Sequence, residues 1–315
     1  METPIAIGIS SCLLGERVRY DGGHKHDRYL TDTLGAFFRL VPVCPEVGCG
    51  LPAPREPMRL EEVTGEVRLV TTRSRIDHTE RMRRWYAEKV GELAAADLCG
   101  FIFKKDSPSS GLFRVKVHRA GMPARMGRGL FAEAVTARFP LLPVEEEGRL
   151  HDLELRENFV VRIFAYRRWK DLVAGGGTPG RLAKFHTAHK LLLMAHSPEL
   201  CRELGGLVAR GKEVPRDELF ARYGALFMKA LARLATVPKN TAVLRHIACS
   251  FRKRLPRDER DELGEVIDEY RRRLVPLVVP VTLLRHYART CGDEYLLGQV
   301  YLTPTPTELM LRNHV

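Results

Sequence analysis

At 315 residues the chain is long enough for two domains with cores of their own, and 44% hydrophobic with 29% charged residues is the balance of a globular protein. That size excludes a mini-protein held together by disulfides, and no apolar run approaches the roughly 18 residues of a membrane span. The net charge of +12 points to a polyanionic partner. Residues 1–150 contribute +3 and residues 151–315 contribute +9, mostly as arginine, whose planar fork suits phosphate.

The first half alternates short β-rich runs with amphipathic helices. IAIGIS (5–10), RLVPV (39–43), GFIFKK (100–105) and FRVKVH (113–118) read as strands. Helices are expected near 27–38, 78–97 and 129–139, the second with apolar residues Met82, Trp85, Tyr86, Val90 and Leu93 at helical spacing. Strand and helix in alternation imply an α/β fold with a layered, mainly parallel sheet. From about residue 150 the strands stop. Six amphipathic helices follow, several opened by cap signals such as Ser197-Pro198 and Pro256-Arg257-Asp258. The expected organisation is an α/β domain over 1–150 and an all-helical domain over 151–315, joined near EEEGRLHD or AGGGTPG.

Ligands of parallel sheets bind beyond the carboxyl ends of the strands. SSCLLGERVRYDGGHKHD, CPEVGCGLPAPRE and DSPSSGLFRVKV each follow a predicted strand, which brings Cys12, Cys44, Cys49, Glu46 and the serines 107, 109 and 110 toward one crevice. METPIAIGIS lacks the marks of a signal peptide, so a cytoplasmic protein is expected, and cysteines grouped in a reducing compartment mean metal or catalysis more often than disulfides. Spacing alone leaves three readings: zinc completed by His24 or His26, an iron–sulfur cluster on three thiolates, or small buried residues in tight turns.

SSCLLGERVRYDGG, PVCPEVGCGLPAPRE and KKDSPSSGLFRVKV resemble, in order and approximate spacing, the motifs of the thiouracil desulfidase (TudS) family, over roughly residues 5–140. LPVEEEGRLHDLELRENFVVRIFAYRRW and FHTAHKLLLMAH resemble the YbgA-type helical domain of the two-domain desulfidases (RudS). The resemblance implies a [4Fe-4S] cluster on three cysteines and the removal of sulfur from thiolated uracil, with tRNA carrying 4-thiouridine as the expected partner. It also implies that the iron without a protein ligand acts as a Lewis acid with no net electron transfer. Glu46 matches the family's acidic residue, and Ser107, with Ser109 as its rival, matches the catalytic serine. The chain departs from the family in carrying Ser110 where a cysteine is usual and Cys49 where none is required. The expectation is that Cys49 replaces the missing thiolate, giving Cys12, Cys44 and Cys49 as cluster ligands.

Arg19, His24, Lys25 and Arg55 are candidate substrate contacts in the first two loops. Arg167 and Arg168 in RIFAYRRWK, Arg252 and Lys253 in RHIACSFRKR, and the arginines of YRRRL are candidate RNA contacts. His186 and His189 lie one helical turn apart, which fits core packing or RNA contact better than a metal pair. Cys99, Cys201, Cys249 and Cys291 read as buried residues. Two other functions are compatible with these residues: a zinc-containing RNA-binding protein without catalysis, and a cluster-dependent sulfur-transfer or redox enzyme.

Overall fold

The computed structural model describes residues 4–119 and 122–314; Met1–Thr3, the start of the stretch read for a leader signal, lie outside them. The chain divides into two compact units, Met1–Asp152 and Leu153–Val315.

The strands of the first unit are β1 (Ile5–Ser10), β2 (Phe38–Val43), β3 (Met58–Val63), β4 (Glu66–Thr71), β5 (Gly100–Phe103), β6 (Val115–Arg119), β7 (Met122–Gly127) and β8 (Val144–Glu146). A parallel sheet runs β2-β1-β5-β8. Covered on both faces, its central strands are apolar almost throughout: Ile7, Ile9, Phe101, Ile102 and Phe103 are fully buried. Gly8 is required here, because a Cβ would lie 2.2 Å from the Phe101 ring.

The second sheet runs β4-β3-β6-β7, with only the β3–β6 pair parallel. The run expected as a strand at 113–118 therefore forms, but in this sheet. The β3–β4 hairpin was not foreseen, because β3 carries charges on both faces: Glu62 falls on the face of Met58 and Leu60, and Glu61 on the other. Glu61 is 3% exposed and is held by Arg59 and Arg75 at 3.3 and 2.6 Å. Thr64 and Gly65, both at positive φ, make its turn.

Among the described residues three α-helices complete this unit: the single turn α1 (Pro45–Gly48), the 17-residue α2 (Thr79–Ala95) and α3 (Leu130–Arg138). The helix expected over 27–38 does not form. A π turn at Tyr29–Thr33 passes into a 3₁₀ turn at Leu34–Ala36. Thr31 and Thr33 are β-branched, Gly35 is a weak helix former, and the Thr31 hydroxyl bonds locally to Asp32 and the backbone.

In the second unit α4 (Leu153–Ala174), α5 (Pro179–His196), α6 (Pro198–Ala209), α7 (Arg216–Leu231), α8 (Val237–Ser250) and α9 (Arg257–Arg271) occupy the six expected segments. Two more follow, α10 (Val278–Thr290) and the single turn α11 (Glu294–Leu297). Ser197 caps α6 by accepting from Leu200 N at 3.3 Å. AGGGTPG connects α4 to α5, and the units divide at the end of EEEGRLHD. The centre of this unit is aromatic: Trp169 stacks on Tyr223 and Phe220 and meets Phe185 and Phe227 edge-on or tilted.

Candidate active site

Strands β1, β2 and β5 are neighbours in the parallel sheet, so their carboxyl-end loops converge by topology. They enclose a crevice of about 440 Å³ whose wall includes Cys12, Cys44, Glu46, Ser107 and Ser110. Cys12 sits in the 3₁₀ turn Ser11–Leu14 immediately after β1. Cys44 is the residue before α1, and Glu46 lies in that helix's first turn.

Glu46 is 9% exposed and stands at the centre of the polar contacts. Its Oε1 accepts from Ser109 Oγ at 2.5 Å and from Ser107 Oγ at 3.4 Å, while the two serine hydroxyls lie 3.0 Å apart. Its Oε2 accepts from Cys44 Sγ at 3.4 Å and faces Arg55 Nη2 at 3.8 Å. A buried carboxylate is tolerable only with this degree of compensation. Arg55 is fixed in turn by donating to the carbonyls of Val18 and Pro52.

Burial pushes the Cys12 thiol up to about 11 and the Cys44 thiol up to about 12, the latter reinforced by Glu46. Both are therefore protonated at neutral pH and inert as free nucleophiles. A soft metal centre is the kind of ligand that would ionise them.

Cys49 does not reach the crevice wall. It packs with Leu51, Leu60, Leu69, Met82, Val115, Val117 and Leu130, and its thiol donates to the Glu46 carbonyl at 3.2 Å. Four-residue α1 sends its two flanking cysteines in different directions, Cys44 to the crevice and Cys49 to the core between β3, β6 and α2. Ser110, 3% exposed, lines the crevice together with Ser10, Ser11 and Ser107. Among the described residues, no group of three or more His, Cys, Asp or Glu side chains is placed to hold a metal ion. Cys12 and Cys44 are the two soft donors that the described residues offer an iron–sulfur group on this wall, one fewer than the three thiolates expected from the sequence.

Of the candidate substrate contacts, Arg19, Lys25 and Arg55 line the crevice, and His24 does not. His24 is exposed, and its Nδ1 accepts from His26 N, shaping the loop instead. Arg19 Nε lies 3.4 Å from Asp21 Oδ1, an ion pair without hydrogen-bond alignment. Asp21 also accepts from Gly23 N, making the turn its sequence suggests.

Sequence reasoning missed the supports behind the third loop. Glu146 accepts from Leu112 N and Phe113 N at 2.8 and 3.0 Å, and Glu147 holds Lys104 Nζ and Lys105 N. The acidic run EEEG thus braces the loop after β5 from the end of neighbouring β8. No local signal shows this, because the partners are more than 30 residues apart. Lys104, Lys105 and Asp106 also line the crevice, and KKD directly after a strand was a usable cue.

In the helical unit the candidate RNA contacts separate. Arg168 is largely buried and donates to the Pro304 carbonyl at 2.7 Å, and burial lowers its pKa; it is a packing residue, not a surface contact. Arg167 pairs with Asp171 at 2.9 Å. Arg252 and Lys253 are exposed at the end of α8, and Arg252 lines a groove with Arg245 and Arg260. Phe251 between these charges is fully buried, so it offers no stacking face. His186 bonds Tyr223 Oη and His189 bonds the Phe185 carbonyl, both as buried packing residues. Cys249 is exposed and Cys291 half-buried, against the expectation of burial for both.

A parallel sheet that gathers two thiols, a buried carboxylate and serine hydroxyls beyond its strand ends defines an enzyme domain. Residues 7–147 match the 2-thiouracil desulfurase family, and residues 190–306 match a protein family of unknown function, DUF1722. The chain is 32% identical to the uncharacterized protein YbgA of Escherichia coli (strain K12) over 158 residues, 50% of this chain and 94% of that protein. It is 34% identical to the uncharacterized protein YbbK of Bacillus subtilis (strain 168) over 111 residues, 33% of this chain and 71% of that protein. A solved [4Fe-4S]-dependent thiouracil desulfidase, TudS, is 36% identical with 97% of its chain covered and 48% of this one, at a TM-score of 0.40. The chain belongs to the 2-thiouracil desulfurase family, as a two-domain member in which that domain precedes a YbgA-type DUF1722 domain. It is an enzyme of the desulfidase class, acting on thiolated uracil.

Proposed function

We propose that the chain is a [4Fe-4S]-dependent, non-redox desulfidase that converts 4-thiouridine in tRNA to uridine with release of sulfide. The observation that carries the catalytic part is the Glu46 carboxylate held by Ser109, Ser107 and Cys44 on the wall of a crevice with two soft donors. Cys12 and Cys44 would hold the cluster, which when bound supplies a soft Lewis acid matched to a thiocarbonyl sulfur.

The residues of the chain account for the proton chemistry. Replacing C=S by C=O consumes one water and yields hydrogen sulfide, so a water must lose protons as it adds to the ring carbon. Glu46 Oε1 is the acceptor for the first of them, acting as general base. Ser109 and Ser107 fix the orientation of that oxygen, and Arg55 compensates the charge it carries. Ser107 lines the crevice and contacts the reacting groups, whereas fully buried Ser109 acts through Glu46. Arg19, Lys25 and Lys104 on the crevice wall complement an anionic nucleotide.

The tRNA part rests on the +9 carried by residues 151–315 and on the exposed Arg252 and Lys253 beside the arginine-lined groove. The test is anaerobic incubation with tRNA containing 4-thiouridine, following loss of the thiocarbonyl absorbance and release of sulfide at several salt concentrations. Turnover that weakens steeply with salt supports tRNA as substrate. Turnover of free thiouracil alone, with tRNA left intact, would restrict the activity to the free base.

A further inference from the structure

We propose that the groove between α5, α6 and α8 is a phosphate-binding site of the helical unit, in which His186, Lys190 and Arg202 hold a backbone phosphate of RNA and Tyr295 offers a face to the base beside it. The inference rests on the tRNA reading above and names the surface that makes the contact.

The groove encloses about 550 Å³. Its described wall takes His186 and Lys190 from α5, Arg202 and Gly205 from α6, His246 from α8 and Tyr295 from α11, and includes no carboxylate. Lys190 and Arg202 are exposed, and neither enters an ion pair among the described residues. Arg202 Nε donates to the Pro198 carbonyl at 3.5 Å, which leaves the end of its fork for a ligand. Two cations lining one groove with no counter-charge on its wall favour an anion. The groove between α8 and α9 differs, because Asp268 lines it and pairs with Arg245 at 2.7 Å.

His186 makes the site specific. It is 9% exposed, and its Nδ1 lies 3.0 Å from the hydroxyl of fully buried Tyr223. That hydroxyl has no other hydrogen-bond partner among the described residues, so its proton goes to Nδ1. Burial of the imidazole, with Lys190 beside it, holds its pKa below the usual 6.5, so the ring is neutral at pH 7 and carries its one proton on Nε2. Nε2 has no hydrogen-bond partner among the described residues and lies beside Gly205 on the groove wall, where a Cβ would stand 3.6 Å from it. A buried N–H turned to a groove between two unpaired cations is matched by a phosphate oxygen.

Tyr295 is 45% exposed on the same wall, unlike buried Phe251, so a base attached to that phosphate has an aromatic face to stack on. Cations, a fixed donor and an aromatic face in one groove suit a phosphate that carries a nucleoside, which is what an unpaired segment of RNA presents.

The test is binding of tRNA containing 4-thiouridine to the full chain, read by fluorescence anisotropy over a range of salt, with circular dichroism to show that each variant is folded. Lys190→Gln combined with Arg202→Gln should weaken binding on the order of 10-fold at physiological salt and lower the slope of log affinity against log salt by about 1, the loss of one phosphate contact. Gly205→Leu keeps both charges and places a side chain over Nε2, and it should weaken binding about 10-fold. Tyr295→Ala should lose about 5-fold and leave the salt slope unchanged. Wild-type affinity in the folded double variant, or in folded Gly205→Leu, overturns the assignment, while salt-dependent binding by the wild type keeps the tRNA reading standing. An unchanged Tyr295→Ala overturns the base contact. Uridine monophosphate should displace tRNA far better than inorganic phosphate does, and equal displacement makes the groove a free-phosphate site and overturns the RNA assignment. A wild type that binds no tRNA removes the tRNA reading itself.

Discussion

The two units handle buried polar groups in opposite ways. In the first, charged and nucleophilic side chains gather at strand ends, where Glu46 is kept in a polar crevice by two serines, a thiol and an arginine. In the second, polar side chains are absorbed into the packing: His189 and His196 are buried and bonded to carbonyls, and Arg168 ends on Pro304. Concentrating polar groups against an accessible cavity makes a reactive site, whereas tying them to backbone carbonyls within a core makes rigid structure. Substitutions should therefore separate along the same line, affecting chemistry in one unit and stability in the other.

The largest expected effect is Glu46→Ala, which removes the proton acceptor. Desulfidation should fall by about 10²- to 10⁴-fold while iron content stays at the wild-type level. A variant that turns over normally would take Glu46 out of the reaction. In the helical unit Trp169→Ala should cost about 3–5 kcal/mol, because it empties the centre of the aromatic cluster. Chemical denaturation checks this, and an unchanged midpoint would contradict the packing role.

The third prediction uses acid. Burial holds His189 at about 3 and His196 at about 4, well below the usual 6.5. Both are neutral in the folded unit, while the unfolded chain takes up their protons below about pH 6.5. Their contribution to stability is therefore intact above pH 6.5 and falls as the pH drops from there toward 4 and then 3. Helix content followed by circular dichroism should show this loss, and His196→Gln should flatten the upper part of the curve.

A smaller effect sharpens the comparison from the first unit. Gly129→Ala pushes a methyl against Ser109 and Ser110 and should cost about 1–3 kcal/mol. Because that strain falls on the site loop, turnover should drop together with stability, unlike in Trp169→Ala. The smallest effect belongs to exposed ion pairs such as Arg83–Glu80, whose loss should change stability by about 0–1 kcal/mol.

Much of this was legible beforehand where local pattern and tertiary demand agree. Apolar IAIGIS had to be a buried strand, and the serine and proline starts placed the helices of the second unit. Cys12, Cys44, Glu46 and Ser107 were brought together in thought by the rule that parallel-strand loops converge, and the structure sets them around one crevice. The β3–β4 hairpin was hidden because Glu62 stands where an apolar residue would follow Met58 and Leu60, and Glu61 is buried on the other face, where Arg59 and Arg75 make that burial tolerable. Arg168 looked like a phosphate contact, since sequence does not distinguish an arginine facing solvent from one facing a carbonyl.

The cysteines mark the limit most clearly. By itself the sequence determined that three thiols and a run of serines lie in loops after neighbouring strands, because strand periodicity and chain order suffice for that. Which of them face the crevice was decided only in three dimensions. Clamped by Arg81, α1 turns Cys44 outward and Cys49 into the core, and the tight approach of Gly129 sets Ser110 on the crevice wall. Side-chain direction at a helix end depends on long-range hydrogen bonds and close packing, and neither is encoded in spacing.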